Sequence, residues 1–257
     1  MSYTAEEMMT IAAARRLANG AVCFVGIGLP SAAANLARLT HAPDVVLIYE
    51  SGTIGTRPDV LPLSIGDGEL ADKADSIVSI PEIFRYYLQA GRIDVGFLGA
   101  AQIDRYGNLN STYIGGSYDK PRTRLPGAGG APEIAASARE TLIVLRQDPR
   151  SFVAQLDFMS SGGHFTGGDS RARSGSTGRG PTAVITDLGV LTPDPQTGEL
   201  CLSAVHPGVL PQEVVARTGW PLRQAPVLQT SAAPEAHELQ VLRALMERTR
   251  LAHGQAH

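Results

Sequence analysis

The chain has 257 residues, 43% hydrophobic and 18% charged, the balance of a globular protein with room for a large core. A net charge of −3 gives no electrostatic reason to expect nucleic acid or a membrane surface as partner. No run approaches the roughly 18 apolar residues of a membrane span, no leader opens the chain, and two cysteines make no disulfide framework, so a reducing cytoplasm is expected.

Thr4-Ala-Glu-Glu7 is a capping box, and Met8, Ile11, Ala12 and Leu17 follow at helical spacing up to Gly20. Ala21 to Val25 reads as a strand, Gly26-Ile-Gly28-Leu-Pro30 as a loop, Ser31 to Leu39 as a helix, and Val45 to Tyr49 as a second strand. That β-loop-α-β order predicts parallel neighbours joined by a right-handed crossover. A helix is expected over 81–90, a strand over 95–98, and further core strands over 142–145 and 184–186. Gly198 should turn a hairpin between Val190-Leu191 and Leu200 to Val205. Pro211 to Thr218 and Glu235 to Leu251 read as helices, the second amphipathic and expected to dock on its own domain. The fold class is therefore α/β: an open, mostly parallel sheet flanked by helices in a single domain over 1–257. Residues 160–181 hold almost nothing apolar and read as a surface loop, either solvated or presenting Arg171, Arg173 and Arg179 to phosphates.

The most informative residue is Glu50. An apolar strand carries the chain into this carboxylate and Ser51-Gly52 then turns it, at the sheet edge where open α/β proteins bind ligands. A carboxylate there serves as nucleophile or base, with Gly52 letting a substrate approach the backbone, or it caps a neighbouring helix. Gly26-x-Gly28 is half of a dinucleotide fingerprint, but Pro30 occupies the pyrophosphate turn. Gly127-Ala-Gly129-Gly130 opens a short helix, so its backbone N–H groups either gather an oxyanion or mark a turn that needs glycine for steric reasons. In Gln102 to Thr112, Asp104 and Asn108 cap a polar turn, and Asn110 is free to offer its amide to a ligand. The six histidines have no ligand spacing and no Gly-x-Ser-x-Gly elbow occurs, which argues against metal and serine-hydrolase chemistry.

Glu50-Ser51-Gly52, the Gly-Ile-Gly-Leu-Pro loop, Gln102-Ile-Asp104-x-x-Gly107-Asn108-x-Asn110 and Gly127-Ala-Gly129-Gly130-Ala131 together resemble the β subunits of class I CoA-transferases. The likeness runs almost the whole chain, through Thr218-Gly219-Trp220. It implies that Glu50 is a catalytic nucleophile carrying CoA as a thioester, in ping-pong exchange between an acyl-CoA and a dicarboxylic acid. The N–H groups of Gly129 and Gly130, with Gly28 a further candidate, would meet each oxyanion. Ser51, Gly52, Gly127, Asn108, Asn110 and Arg124 would lie along the substrate and CoA path, with Arg57 and Arg122 as further cations for a distal carboxylate. No cofactor or metal is implied, since the CoA thioester is itself a substrate. A homologous α subunit would complete a heterodimer or a tetramer of two of each. A thioester hydrolase on the same fold, a ligand-sensing module and a nicotinamide enzyme are the competing readings.

Overall fold

The computed structural model describes residues 2–254. In chain order the first elements are α1 (Ala5–Ala14), β1 (Val22–Phe24), α2 (Leu29–Leu39), β2 (Val46–Ile48), β3 (Thr53–Ile54), α3 (Gly68–Asp72), β4 (Ser76–Ile77) and α4 (Ile80–Glu82). A π-helical stretch over Ile83–Leu88 continues α4, where an uninterrupted α-helix was expected. Then come β5 (Val95–Leu98), two small hairpins of β6 (Gln102–Ile103) with β7 (Leu109–Asn110) and β8 (Tyr113–Gly116) with β9 (Pro121–Arg124), α5 (Ala131–Ser137), β10 (Glu140–Val144) and α6 (Ser170–Arg173). The chain ends in β11 (Pro181–Ile185), β12 (Gly189–Pro193), β13 (Leu200–Val205), α7 (Pro211–Ala216), β14 (Arg223–Thr230) and α8 (Ala236–Ala252).

Ten strands form one sheet in the order β14-β13-β12-β11-β10-β5-β1-β2-β3-β4. Its centre, β11-β10-β5-β1-β2, is parallel throughout. The β11-β12-β13 and β2-β3-β4 steps are antiparallel, and β13-β14 is parallel again. β1 has β2 on one side and β5 on the other, so the chain winds out from β1 in both directions. Such a reversal opens a crevice at the strand C-termini.

The alternation of side chains along each strand sorts the core into two layers. Cys23, Val25, Leu47, Tyr49, Phe97, Leu142 and Val144 pack with α1, α2 and α8 on one face. Phe24, Ile48, Leu98 and Ile143 pack on the other with Ile83 and Leu88 of the π-helical stretch, Ile134 of α5 and Val214 of α7. The expected capping box at Thr4 is present, and Gly198 turns the β12–β13 hairpin at φ 72°. α8 docks on its own chain, where Arg15 and Glu238 form an ion pair at 2.6 Å and Arg243 and Glu7 another at 2.6 Å. α2 starts two residues earlier than expected, because Pro30 sits in its first turn, where a missing N–H costs nothing.

The 160–181 segment departs from the sequence-based expectation. Arg171 is no phosphate ligand: it is buried, and its guanidinium donates to the carbonyls of Gly178 (2.9 Å), Gly163 (2.7 Å), Gly162 (3.3 Å) and Ala135 (2.6 Å). One cation thereby stitches the loop to α5. Arg173 pairs with Asp169 and Arg179 with Glu140.

Two outcomes follow from this packing. Arg171→Met strands several buried carbonyls and should cost roughly 3 kcal/mol or more in urea unfolding, while Arg173→Met, which breaks an exposed pair, should cost about 1 kcal/mol or less. Burial holds the imidazole of His206 below its ordinary pKa, against the opposing hydrogen bond to the Thr186 carbonyl and the charge of Asp187. The folded state therefore prefers neutral His206, and the unfolded chain binds the proton first as pH falls below about 6.5. The contribution of His206 is fully present above that value and is lost below it. His206→Gln should flatten this part of the stability–pH curve.

Candidate active site

β2 places the site. Tyr49 follows the strand on the α2 side, where its hydroxyl lies 2.8 Å from Ser31 Oγ and accepts from Asn35 at 3.4 Å. Asn35 also donates to the Ser31 carbonyl, and Arg38 bonds both Asn35 and the Pro58 carbonyl. With Tyr49 locked to α2, the alternation sends Glu50 towards the opposite layer, that of α5 and the π-helical stretch.

There the carboxylate meets the glycine turn. A Cβ built on Gly130 would lie 2.9 Å from Glu50 Oε1, and one on Gly129 would lie 3.8 and 3.9 Å from the two carboxylate oxygens. Gly129 has φ 51°, and Gly130 caps α5 with its backbone in the right-handed helical region. Among the described residues, neither N–H has an acceptor and the half-buried Glu50 carboxylate has no hydrogen bond or ion pair. Glu50 therefore does not cap a helix. A half-buried carboxylate without a partner, beside a glycine turn whose buried Gly130 N–H is also unpaired, departs from the usual accounting, in which buried polar groups find partners. Ser51 Oγ, one residue on, is also buried without a partner.

The remaining residues singled out in the sequence divide. Gly28 is exposed, caps α2 at φ 82° and faces open space, with its N–H unpaired among the described residues. Gly52 is required by chain packing rather than by substrate approach. Its φ is 106°, a Cβ there would fall 1.9 Å from the Val78 carbonyl oxygen, and its own carbonyl accepts from Val78 N–H at 3.0 Å. Gly127, at φ 104°, donates its N–H to the Ser111 carbonyl at 2.9 Å and has no donor left for a ligand. Asn108 is fully engaged inside the protein: its amide donates to Asp104 and the Phe165 carbonyl and accepts from Gly163 and Phe165 N–H. Asn110 is likewise buried, donating to Gln102 and the Tyr113 carbonyl and accepting from Thr112 N–H. Both asparagines hold hairpins together; neither offers an amide to a ligand. Arg124 lies over the Tyr118 ring at 4.8 Å and donates to the Tyr118 carbonyl. Arg57 is paired with Asp75, and Arg122 has no ion pair among the described residues.

One neighbour of Glu50 escapes the motif search. Phe84 reaches the same point as the carboxylate: its Cζ lies 2.6 Å from the Gly130 Cβ position. The sequence signal was there, since Ile83 and Leu88 are five apart, a spacing foreign to an α-helix face.

A cavity of about 790 Å³ opens elsewhere, between α1, α8 and Leu63, and neither Glu50 nor the glycine turn lines it. Among the described residues no group of three or more His, Cys, Asp or Glu is placed to hold a metal ion, and no helix is long and apolar enough to cross a membrane.

The chain as a whole has counterparts among known proteins. Residues 6–217 match the family model described as coenzyme A transferase. The chain is 62% identical over 254 residues to the β subunit of 3-oxoadipate CoA-transferase of Pseudomonas knackmussii, covering 99% of this chain and 97% of that one. It is 37% identical to the corresponding subunit of glutaconate CoA-transferase of Acidaminococcus fermentans, over 90% and 88% of the two chains. The crystal structure of glutaconate coenzyme A-transferase from that organism superposes with a TM-score of 0.90 over 97% of this chain and 96% of its own. The chain belongs to the coenzyme A transferase family.

The two kinds of glycine predict different behaviour. Gly52→Ala must both leave a left-handed conformation and clear a carbonyl oxygen, so it should cost roughly 3 kcal/mol or more or give no soluble protein. Gly28→Ala meets open space and should cost about 1 kcal/mol by thermal unfolding.

Proposed function

We propose that this chain is the β subunit of a heteromeric CoA-transferase that moves CoA from succinyl-CoA to 3-oxoadipate through a thioester on Glu50. The observation that carries this reading is the unpaired Glu50 carboxylate lying against the Gly129–Gly130 turn, whose N–H groups have no acceptor among the described residues. The identity of the 62% relative supports the choice of acids.

In the first half-reaction, a Glu50 oxygen bonds to the thioester carbon of succinyl-CoA. The C–S bond then breaks, giving a mixed anhydride and CoA thiolate. The thiolate attacks the glutamyl carbonyl of the anhydride, forming the Glu50–CoA thioester and releasing succinate. In the second half, a carboxylate of 3-oxoadipate attacks the glutamyl thioester and frees the thiolate again. The thiolate then attacks the acceptor's acyl carbon, so that 3-oxoadipyl-CoA leaves and Glu50 is restored. Every addition builds a tetrahedral oxyanion beside Glu50, which the unpaired N–H groups of the Gly129–Gly130 turn would stabilise. Gly28 and the Ser51 hydroxyl are further donors. The α5 N-terminus adds the positive end of a short helix to the same point. No metal or redox cofactor enters this scheme. The remote parts of CoA supply binding energy that is spent at the reacting carbonyl.

A homologous α subunit closes the crevice, giving a heterodimer or a tetramer of two of each. Exposed apolar side chains on the elements that carry the site support this: Ile77 on β4 is 60% exposed, Ile80 on α4 52%, and Tyr86 on the π-helical stretch 55%. Singly exposed apolar residues are ordinary, but three on adjoining elements beside the crevice suit an interface. The reaction belongs to the β-ketoadipate route of aromatic-compound breakdown and is placed in the cytoplasm.

The test uses the chain co-expressed with its α subunit. Glu50→Gln should reduce CoA exchange from succinyl-CoA to 3-oxoadipate by well over a thousandfold while the complex still assembles; activity within about tenfold of wild type removes the nucleophile assignment. Acyl-CoA followed by borohydride should reduce the glutamyl thioester and inactivate the wild type at Glu50, whereas a hydrolase using Glu50 as a base would leave that residue unmodified. Gly130→Val keeps the backbone N–H but drives a side chain into Phe84 and the Glu50 carboxylate, and the displaced carboxylate should lower kcat by roughly 10²-fold.

A further inference from the structure

The π-helical stretch does something the proposed reaction does not by itself require. An α-helix turns 100° per residue, so residues five apart lie about 140° from one another. Ile83 and Leu88 are nevertheless both fully buried in the same apolar layer. The wide turn accounts for this: Gln89 N–H donates to the Phe84 carbonyl at 2.8 Å, five residues back. Ile83 and Leu88 thus anchor the turn at both ends while Phe84, beside Ile83, is held out towards α5. Its ring rests on Phe24 of β1, centroids 6.0 Å apart and tilted by 58°, which fixes its orientation. The far edge of the ring reaches the point where a Gly130 Cβ would sit, 2.6 Å from Cζ and 2.9 Å from Cε1, and Glu50 Oε1 is 2.9 Å from that point. Ring, carboxylate and glycine backbone therefore converge, and glycine at 130 is what leaves space for the ring.

An acyl group on Glu50 has its carbonyl carbon bonded to one of these oxygens, and the next carbon out is the first to meet whatever stands beside the carboxylate. On the side of the oxyanion donors, that is the Phe84 ring. We propose that Phe84 is a specificity-determining wall that restricts the enzyme to carboxylic acids with an unbranched methylene next to the reacting carboxylate. The π-turn is the device that holds it in place. This rests on Glu50 as the acyl-bearing residue and deepens that reading to a substrate class: acids of the form R–CH2–COO⁻, with α-branched acids excluded by contact with the ring edge. A single extra methyl against a fixed wall is discriminated by roughly 10- to 200-fold.

The experiment measures incorporation of labelled succinate into succinyl-CoA by the assembled wild-type complex, and the same with 2,3-dimethylsuccinate, which is branched beside both of its carboxylates. Wild type should favour succinate in kcat/KM, and Phe84→Ala should narrow that preference by about tenfold or more. A general loss of stability or of assembly lowers both acids together and leaves the ratio in place, so the ratio isolates the wall. Phe84→Leu, which keeps a branched apolar side chain against Phe24, is measured alongside. It should narrow the ratio partially, and it provides a folded variant if alanine loosens the turn. A preference within twofold of wild type in a folded variant that still exchanges succinate overturns the proposal, as does a wild type that accepts both acids equally. The nucleophile reading fails separately: exchange that survives Glu50→Gln, or a wild type without a borohydride-sensitive thioester, removes that assignment whatever the ratio does.

Discussion

The site depends on how the backbone reverses immediately after Glu50. Gly52 accepts a hydrogen bond from Val78 N–H at 3.0 Å, donates to Tyr49 at 3.0 Å, and lies so close to the Val78 carbonyl that no side chain fits. This three-residue turn converts a buried parallel strand into an antiparallel edge, β3 against β2 and β4 against β3. A looser reversal would let the carboxylate swing, and with it the distance to the glycine turn. Effective catalytic geometry tolerates little such movement. The glycine thus acts through the backbone it permits rather than through any contact with substrate.

A second constraint comes from the layer below. Tyr49 is fully buried, and its hydroxyl is held by Ser31 and Asn35 of α2, whose N-terminus follows the Gly26–Gly28 loop. Its hydroxyl, pushed up to a pKa of about 12 by burial, stays protonated, with the hydrogen bonds it shares with Ser31 and Asn35 acting in the opposite direction. The strand end is thus pinned on one face by a polar network and released on the other, where the carboxylate stands without a partner. Satisfied groups surrounding an unsatisfied pair describe a preorganised site, its rigidity supplied by the neighbours.

How much of this was legible depended on whether the information was local. The core strands and their parallel order followed from apolar runs bounded by turns, and β5 has the bounds that Val95 to Leu98 suggested. Glu50 and the 129–130 turn were recognisable because a carboxylate at a strand end and glycines before a helix are each unusual within a few residues. Asn108, Asn110 and Gly127 misled for the same reason. Their types are those of ligand-binding residues, but their partners (Phe165, Tyr113, Ser111) are set by tertiary pairing. Arg171 is the sharpest case. Nothing within the polar run signals that the Ala135 carbonyl, 36 residues away, waits for its guanidinium. Phe84 needed both kinds of knowledge: the five-residue apolar spacing is local, but its meeting with Gly130 is not.

The two cysteines gain meaning from the chemistry next to them. Cys23, on β1, and Cys201, on β13, are both free and buried, and burial pushes both thiols up from their ordinary range. In the proposed cycle a reactive sulfur anion is set loose twice per turnover, within the crevice at the edge of the strand neighbouring Cys23. A protein sulfur within reach would be open to mixed-disulfide capture by that coenzyme whenever conditions turned oxidising. Packing both thiols into the interior, in their protonated form, takes away the place where the enzyme's own intermediate could poison it.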